Sequence, residues 1–168
     1  MLLAFGVVAV YFYGRAQPEA VEVSVRAELD SPRSDVWALL SDPMRRPEWR
    51  PFVDRIGRIA DDADGHEVWR ELDDSGDRFD FAVVERHPED RFVIEVAAVD
   101  QIGMEGRWTW TLTDAGAGTV VELSERTAID NPLMRGLNRL AHDPFDTVEQ
   151  EVALLAEHLG SPHRIQRL

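Results

Sequence analysis

Val21, Val23, Val25, Ala27 and Leu29 alternate with Glu22, Ser24, Arg26 and Glu28. A period of two predicts a strand with one buried face. Ser31 then suits a helix N-cap and Pro32 the first helical position. Val36, Trp37, Leu39 and Leu40 predict a short amphipathic helix that Asp42-Pro43 ends, and a second short helix fills residues 44–49. Five or six more strands follow: 52–59, 66–72, 78–85, 91–98, 105–113 and 119–128. Most of the breaks between them are short polar turns rich in Asp, Gly or Pro, with a looser stretch around Gly103, so the strands read as an antiparallel meander. The turn at 61–65 is acidic but lacks the spacing and closing Glu of a calcium loop, and is expected to be a hairpin turn.

The last predicted element is the longest. Leu133, Leu137, Leu140, Pro144, Val148, Val152, Leu155 and Leu159 recur at steps of three or four, which is one helical face. Gly160 and Pro162 stop it, and Pro144 is expected to kink or break it near its middle. Strand, two short helices, meander and long helix make an α+β chain.

Three stretches carry a resemblance. Leu29-Asp30-Ser31-Pro32 leads to Val36-Trp37, and Pro47-Glu48-Trp49-Arg50-Pro51-Phe52-Val53 leads into a strand. Gly116-Ala117-Gly118-Thr119-Val120-Val121-Glu122-Leu123 opens the last strand. The chain resembles the START-like, or SRPBCC (Bet v 1 and polyketide cyclase), superfamily over roughly residues 21–160. The resemblance implies a helix-grip fold: a curved antiparallel sheet wrapped around a long C-terminal helix, with two short helices after strand 1 and an apolar cavity between sheet and helix.

Residues 1–13 contain no charge and no Pro, and Gly14, Arg15 and Pro18 close the stretch. As a helix, thirteen residues reach only about 20 Å at ~1.5 Å per residue, against roughly 30 Å of hydrocarbon. An aromatic edge at Tyr11, Phe12 and Tyr13 beside Arg15 favours a membrane anchor. A cleaved signal and a helix packed into the fold are the competing readings. The expected organisation is a hydrophobic segment at 1–16, a linker at 17–20, the domain at 21–160 and a tail at 161–168. Localisation is expected at a membrane, through a single N-terminal anchor of open orientation.

The formal charge of −14 argues against nucleic acid, whose phosphates need a basic face. All 18 basic residues are Arg, and there is no Cys, which removes thiolate chemistry and Cys-based metal sites. No two of the five His are spaced three or four apart, so no helical metal pair exists. No metal or cofactor is expected.

The apolar parity of the strands places Phe79, Phe81, Ile94, Val96, Ala98, Trp108, Trp110 and Leu123 toward the helix, where Leu137 and Leu140 are expected to meet them. Gly103 and Gly106 leave room beside large rings. Continuing the last strand puts Glu125 and Thr127 on the same side as Leu123. A carboxyl on an apolar face titrates upward and can act as an acid or anchor a polar group, unless it reaches water or an Arg at the strand end. Arg70 is a weaker candidate partner. One register points it inward and the other buries Trp69 instead. The only Tyr residues are Tyr11 and Tyr13, so the domain has no phenolic acid.

These residues support binding of a small hydrophobic ligand (a lipid, isoprenoid or aromatic polyketide) at Phe79, Phe81, Ile94, Trp108, Trp110, Leu123, Glu125, Leu137 and Leu140. The alternatives are a polyketide cyclase/dehydrase-type enzyme using Glu125 and Arg70, and a partner-binding module whose core is filled.

Overall fold

Strand β1 (Ala20–Leu29) buries Val25, Ala27 and Leu29 and exposes Arg26 and Glu28, as its alternation requires. The structure is a computed structural model that describes residues 2–96 and 104–168. After β1 come α2 (Arg33–Leu40), a 3-10 turn at Pro43–Arg45 and α3 (Arg46–Trp49), preceded by α1 (Leu2–Ala16). The meander is β2 (Val53–Arg58), β3 (Val68–Asp73), β4 (Arg78–His87), β5 (Arg91–Val96), β6 (Met104–Ala115) and β7 (Gly118–Ile129). Helices α4 (Pro132–Ala141) and α5 (Asp146–His158) follow, then β8 (Gln166–Arg167). Ala98 and Gly103 lie outside the described residues.

The strands form one antiparallel sheet in the order β2-β3-β4-β5-β6-β7-β1-β8. β7 turns back on β6 and then pairs with β1 from Ala20↔Ala128 to Leu29↔Thr119, so the first strand joins the last long one. Irregularities at Val53/Arg55 and Val83/Glu85 break the ladder, and such bulges bend and twist a strand. The concave face grips α5, whose Val148, Val152, Leu155 and Ala156 are fully buried against it. This is the α+β helix-grip architecture. The stretch expected as a tail returns to the sheet, where Gln166 and Arg167 pair with β1.

Three local expectations are corrected. Ser31 does not cap α2: the helix starts at Arg33 after Pro32, and the Ser31 carbonyl accepts a hydrogen bond from Thr119 Oγ1 at 2.7 Å. The C-terminal stripe does break where Pro144 was expected to break it: the chain leaves helical geometry from His142 and restarts at Asp146. That break turns Leu137 and Leu140 away from the sheet, and both lie exposed at 47% and 63%.

The third correction concerns a membrane-crossing N-terminal helix. Among the described residues no helix is long and apolar enough to cross a membrane. The 15 residues of α1 span about 22 Å at ~1.5 Å per residue, and the helix packs antiparallel on α4. A Cβ on Gly14 would sit 1.8 Å from the Pro132 carbonyl oxygen, and one on Gly136 would sit 2.4 Å from that of Val10. Only glycine lets the two backbones approach so closely. Buried Arg135 fastens the crossing by donating to the carbonyls of Gly14 and Ile129, each at 2.7 Å.

Candidate functional site

A cavity of about 370 Å3 opens between the concave face and the α4–α5 junction. Its walls are apolar: Val21 and Val23 of β1, Phe79 and Phe81 of β4, Val96 of β5 and Trp108 of β6. Gly106 makes space for the Trp108 ring, since a Cβ there would meet it at 3.0 Å. Asn138 and Arg139 of α4, with His142, Asp143 and Asp146, form a polar mouth.

Two of the carboxyls that line the cavity stand in contrasting settings. Glu125 on β7 lies opposite Trp108 in the β6–β7 register. Its Oε1 accepts a hydrogen bond from Thr127 Oγ1 at 2.9 Å, while its buried Oε2 has no partner. Burial pushes the Glu125 carboxyl above the usual carboxylate range, against the Thr127 hydrogen bond and the pull of the Trp108 indole N–H, and the negative charge of Glu151 adds to the rise.

Glu71 on β3 belongs to a buried charge cluster. It accepts hydrogen bonds from Arg46 Nε and Arg50 Nη1, and from Trp69 Nε1 at 2.9 Å. Burial alone would raise its carboxyl, but Arg46, Arg50 and the indole outweigh it and hold Glu71 below the usual range. Arg50 Nε also lies 2.8 Å from Glu151 Oε1, a charge contact without an aligned N–H bond. Arg46 Nη2 is 3.9 Å from Glu151 Oε2. Two guanidinium groups and two carboxylates thus balance one another out of water, the condition under which buried charge is tolerated. The Arg46 guanidinium carbon also stands 5.4, 5.8 and 5.6 Å from the ring centroids of Trp49, Trp69 and Phe81, an aromatic cage for a cation.

Of the residues singled out from the sequence, Phe79, Phe81, Trp108 and Glu125 line the cavity. Ile94 and Trp110 lie deeper, around a separate void of about 30 Å3 beside Arg46 and Glu151. Leu123 is fully buried in the core below. Leu137 and Leu140 are outside, on the exposed side of α4. Arg70 does not reach the cavity. The register buries Trp69 and Glu71 and sends Arg70 to the other face, where it clasps its cross-strand partner Asp80 at 2.6 and 2.7 Å.

Sequence reasoning missed Arg46, Arg50, Glu71 and Glu151. The traces were present: Arg46 and Arg50 stand four apart on one helical turn, and Glu71 shares parity with Trp69. Glu151 interrupts the face of Val148, Val152 and Leu155. Elsewhere, Asp62, Asp64 and His66 bring ligand-type atoms within 4.8 Å of one another in the β2–β3 turn. Asp62 there accepts from the backbone N–H groups of Asp64 and His66 and contacts the His66 ring at 2.9 Å, which accounts for the cluster as turn chemistry.

Solved structures share this architecture. The di-domain ARO/CYC protein BexL of the BE-7585A biosynthetic pathway superposes with a TM-score of 0.66 at 12% identity, over 88% of this chain and 52% of that one. The chain spans about half the length of BexL and of the di-domain StfQ. A protein of Mesorhizobium loti gives 0.64 at 17% identity, over 83% and 97% of the two chains. A point mutant of norcoclaurine synthase from Thalictrum flavum, in complex with a transition-state analogue, gives 0.62 at 13% identity, over 86% and 98%. At these identities the likeness establishes the fold. No curated protein matches the sequence. Residues 20–157 match the family model described as polyketide cyclase / dehydrase and lipid transport, and the chain therefore belongs to that family.

Proposed function

We propose that the domain binds one small, mostly apolar molecule, with its polar end against Glu125. The observation that carries this reading is the buried Glu125 carboxyl, its Oε2 without an aligned hydrogen bond, in a cavity walled by Phe79, Phe81, Val96 and Trp108. Known ligand pockets occupy ~300–1,000 Å3, so 370 Å3 suits a single flat aromatic, isoprenoid or one-chain lipid and is too small for a two-chain phospholipid. The wall's buried arginines are engaged, Arg50 by Glu71 and Glu151 and Arg135 by the carbonyls of Gly14 and Ile129, so the wall does not favour a carboxylate ligand. It offers a carboxyl that can donate its proton to a carbonyl or accept from a hydroxyl. Native mass spectrometry of the purified protein, with tryptophan fluorescence titration by a flat aromatic ketone, tests the reading. A co-purifying small molecule and a saturable shift of the Trp108 signal are expected. A cavity that takes up neither overturns it.

A second reading is a cyclase of the type named by the family, favoured by the upward shift that burial gives the Glu125 carboxyl at the cavity wall. The carboxyl would deliver its proton to a ligand carbonyl oxygen as a carbon of the same ligand bonds to the carbonyl carbon. The C–H proton lost from that carbon passes to water and is returned to the Glu125 carboxylate, so the closure is an isomerisation that needs no oxidant or reductant. Loss of ketone signal from a bound polyketone, abolished in Glu125→Gln with binding retained, would distinguish the enzyme from the carrier.

A further inference from the structure

Helices α1 and α4 pack together and both expose large apolar side chains. Val7, Val8, Phe12 and Tyr13 of α1 and Leu137 and Leu140 of α4 all point to solvent, Phe12 at 62% and Leu140 at 63% exposed. The Gly14–Gly136 crossing holds the two helices together, so these side chains belong to one rigid pair. Large apolar side chains concentrated in this way mark an interaction surface.

The charge pattern says which kind. The chain carries 32 Asp and Glu residues, yet neither the 15 residues of α1 nor the 10 of α4 includes one. Their charges are Arg15, Arg135 and Arg139, all positive. Arg15 closes the aromatic run of α1, and Arg139 stands at the cavity mouth. An apolar face with aromatic residues and an Arg at its edge matches the interfacial level of a bilayer, where rings sit between hydrocarbon and headgroups and cations meet phosphate.

We propose that this face docks in the plane of a phospholipid bilayer, with α1 and α4 lying on the membrane rather than crossing it. Docking stands without the cavity reading; its use rests on that reading. α4 carries Leu137 and Leu140 toward the bilayer and Asn138 and Arg139 toward the cavity mouth. A docked domain therefore holds its mouth within one helix diameter, ~10 Å, of the bilayer surface, which shortens the path of a hydrophobic molecule from membrane to cavity.

Flotation of the full chain with phosphatidylcholine vesicles, with and without phosphatidylglycerol, tests the docking. The full chain is expected to float with both. Phe12→Asp and Leu140→Asp should each lower the bound fraction by about tenfold or more, since affinity follows the buried apolar area. Both variants should keep the far-ultraviolet spectrum and the fluorescence titration of a soluble aromatic ketone. Failure of the full chain to float, or equal flotation of the variants, overturns the proposal. So does a stable dimer in sedimentation that the same substitutions dissociate, which would assign the face to a second copy. Flotation without any ketone response leaves docking standing and removes the cavity reading.

Discussion

Glu71 and Glu125 enter one cavity from β3 and β7, and their surroundings drive the two carboxyls in opposite directions. Two guanidinium groups and an indole hold Glu71 charged. Burial without a cation favours the neutral form of Glu125. Carboxyls pushed apart in this way divide into a fixed charge and a proton holder.

Replacing Glu125 with Gln keeps the shape and removes the titration. Because the folded carboxyl titrates above its ordinary value, the stability it contributes is fully present below that value and is lost as pH rises through the raised one. Glu125→Gln is expected to be the more stable protein above the ordinary carboxylate range, with the gap widening with pH. Urea melts at a series of pH values check this. Parallel curves for the two proteins would mean that Glu125 is ionised in the fold.

At Glu71 the sign reverses. A depressed folded pKa contributes stability above the ordinary carboxylate value that is lost as pH falls through the folded one. Glu71→Gln leaves Arg46 and Arg50 with Glu151 as their remaining carboxylate neighbour among the four. Breaking a buried pair from one side costs about 3–5 kcal/mol. A large drop in the denaturation midpoint at neutral pH is expected, together with loss of the acid limb. A replacement tolerated within 1 kcal/mol, read against the usual ~0.5–3 kcal/mol of point mutations, would show that the cluster is wet.

Arg70 serves as the control. Its side chain clasps Asp80 on the face away from the cavity. Arg70→Gln should leave ketone titration and any turnover unchanged, whereas Arg50→Gln, at the cavity wall, should alter both.

Gly136→Val puts side-chain atoms where the Val10 carbonyl oxygen already lies within 2.4 Å. Overpacking of this kind costs about 1–3 kcal/mol, and the loss should fall on α1 first. Hydrogen exchange is expected to show α1 amides losing protection while β6 and β7 keep theirs. Unchanged α1 protection would place the crossing elsewhere.

Deleting residues 144–168 removes Val148, Val152 and Leu155 from the sheet face, at ~1.5–3 kcal/mol each. It also removes Glu151 from the charge cluster. The sum is comparable with the ~5–15 kcal/mol that holds a domain together. The shortened protein is expected to show no cooperative melt, and calorimetry reads this directly.

The sequence alone determined what depends on local periodicity. Alternation from Val21 to Leu29 makes β1, the steps from Val148 to Leu155 make α5, and polar turns fold the meander back on itself. Strand parity also carried Glu125 to the wall with Phe79, Phe81 and Trp108. What it left open was each choice between two faces that are equally good locally. Trp69 and Arg70 could each have pointed inward, and the cross-strand clasp of Arg70 with Asp80 and the demand of Arg46 and Arg50 for a carboxylate decided in favour of Glu71. Leu137 and Leu140 continued the helical stripe but lost the sheet, because the break around Pro144 redirects α4. The charge cluster joins residues 46, 50, 71 and 151, and α1 finds α4 across more than a hundred residues. Such meetings depend on where the chain returns in space, and only the tertiary structure decides whether a charge finds its partner or an apolar face its cover.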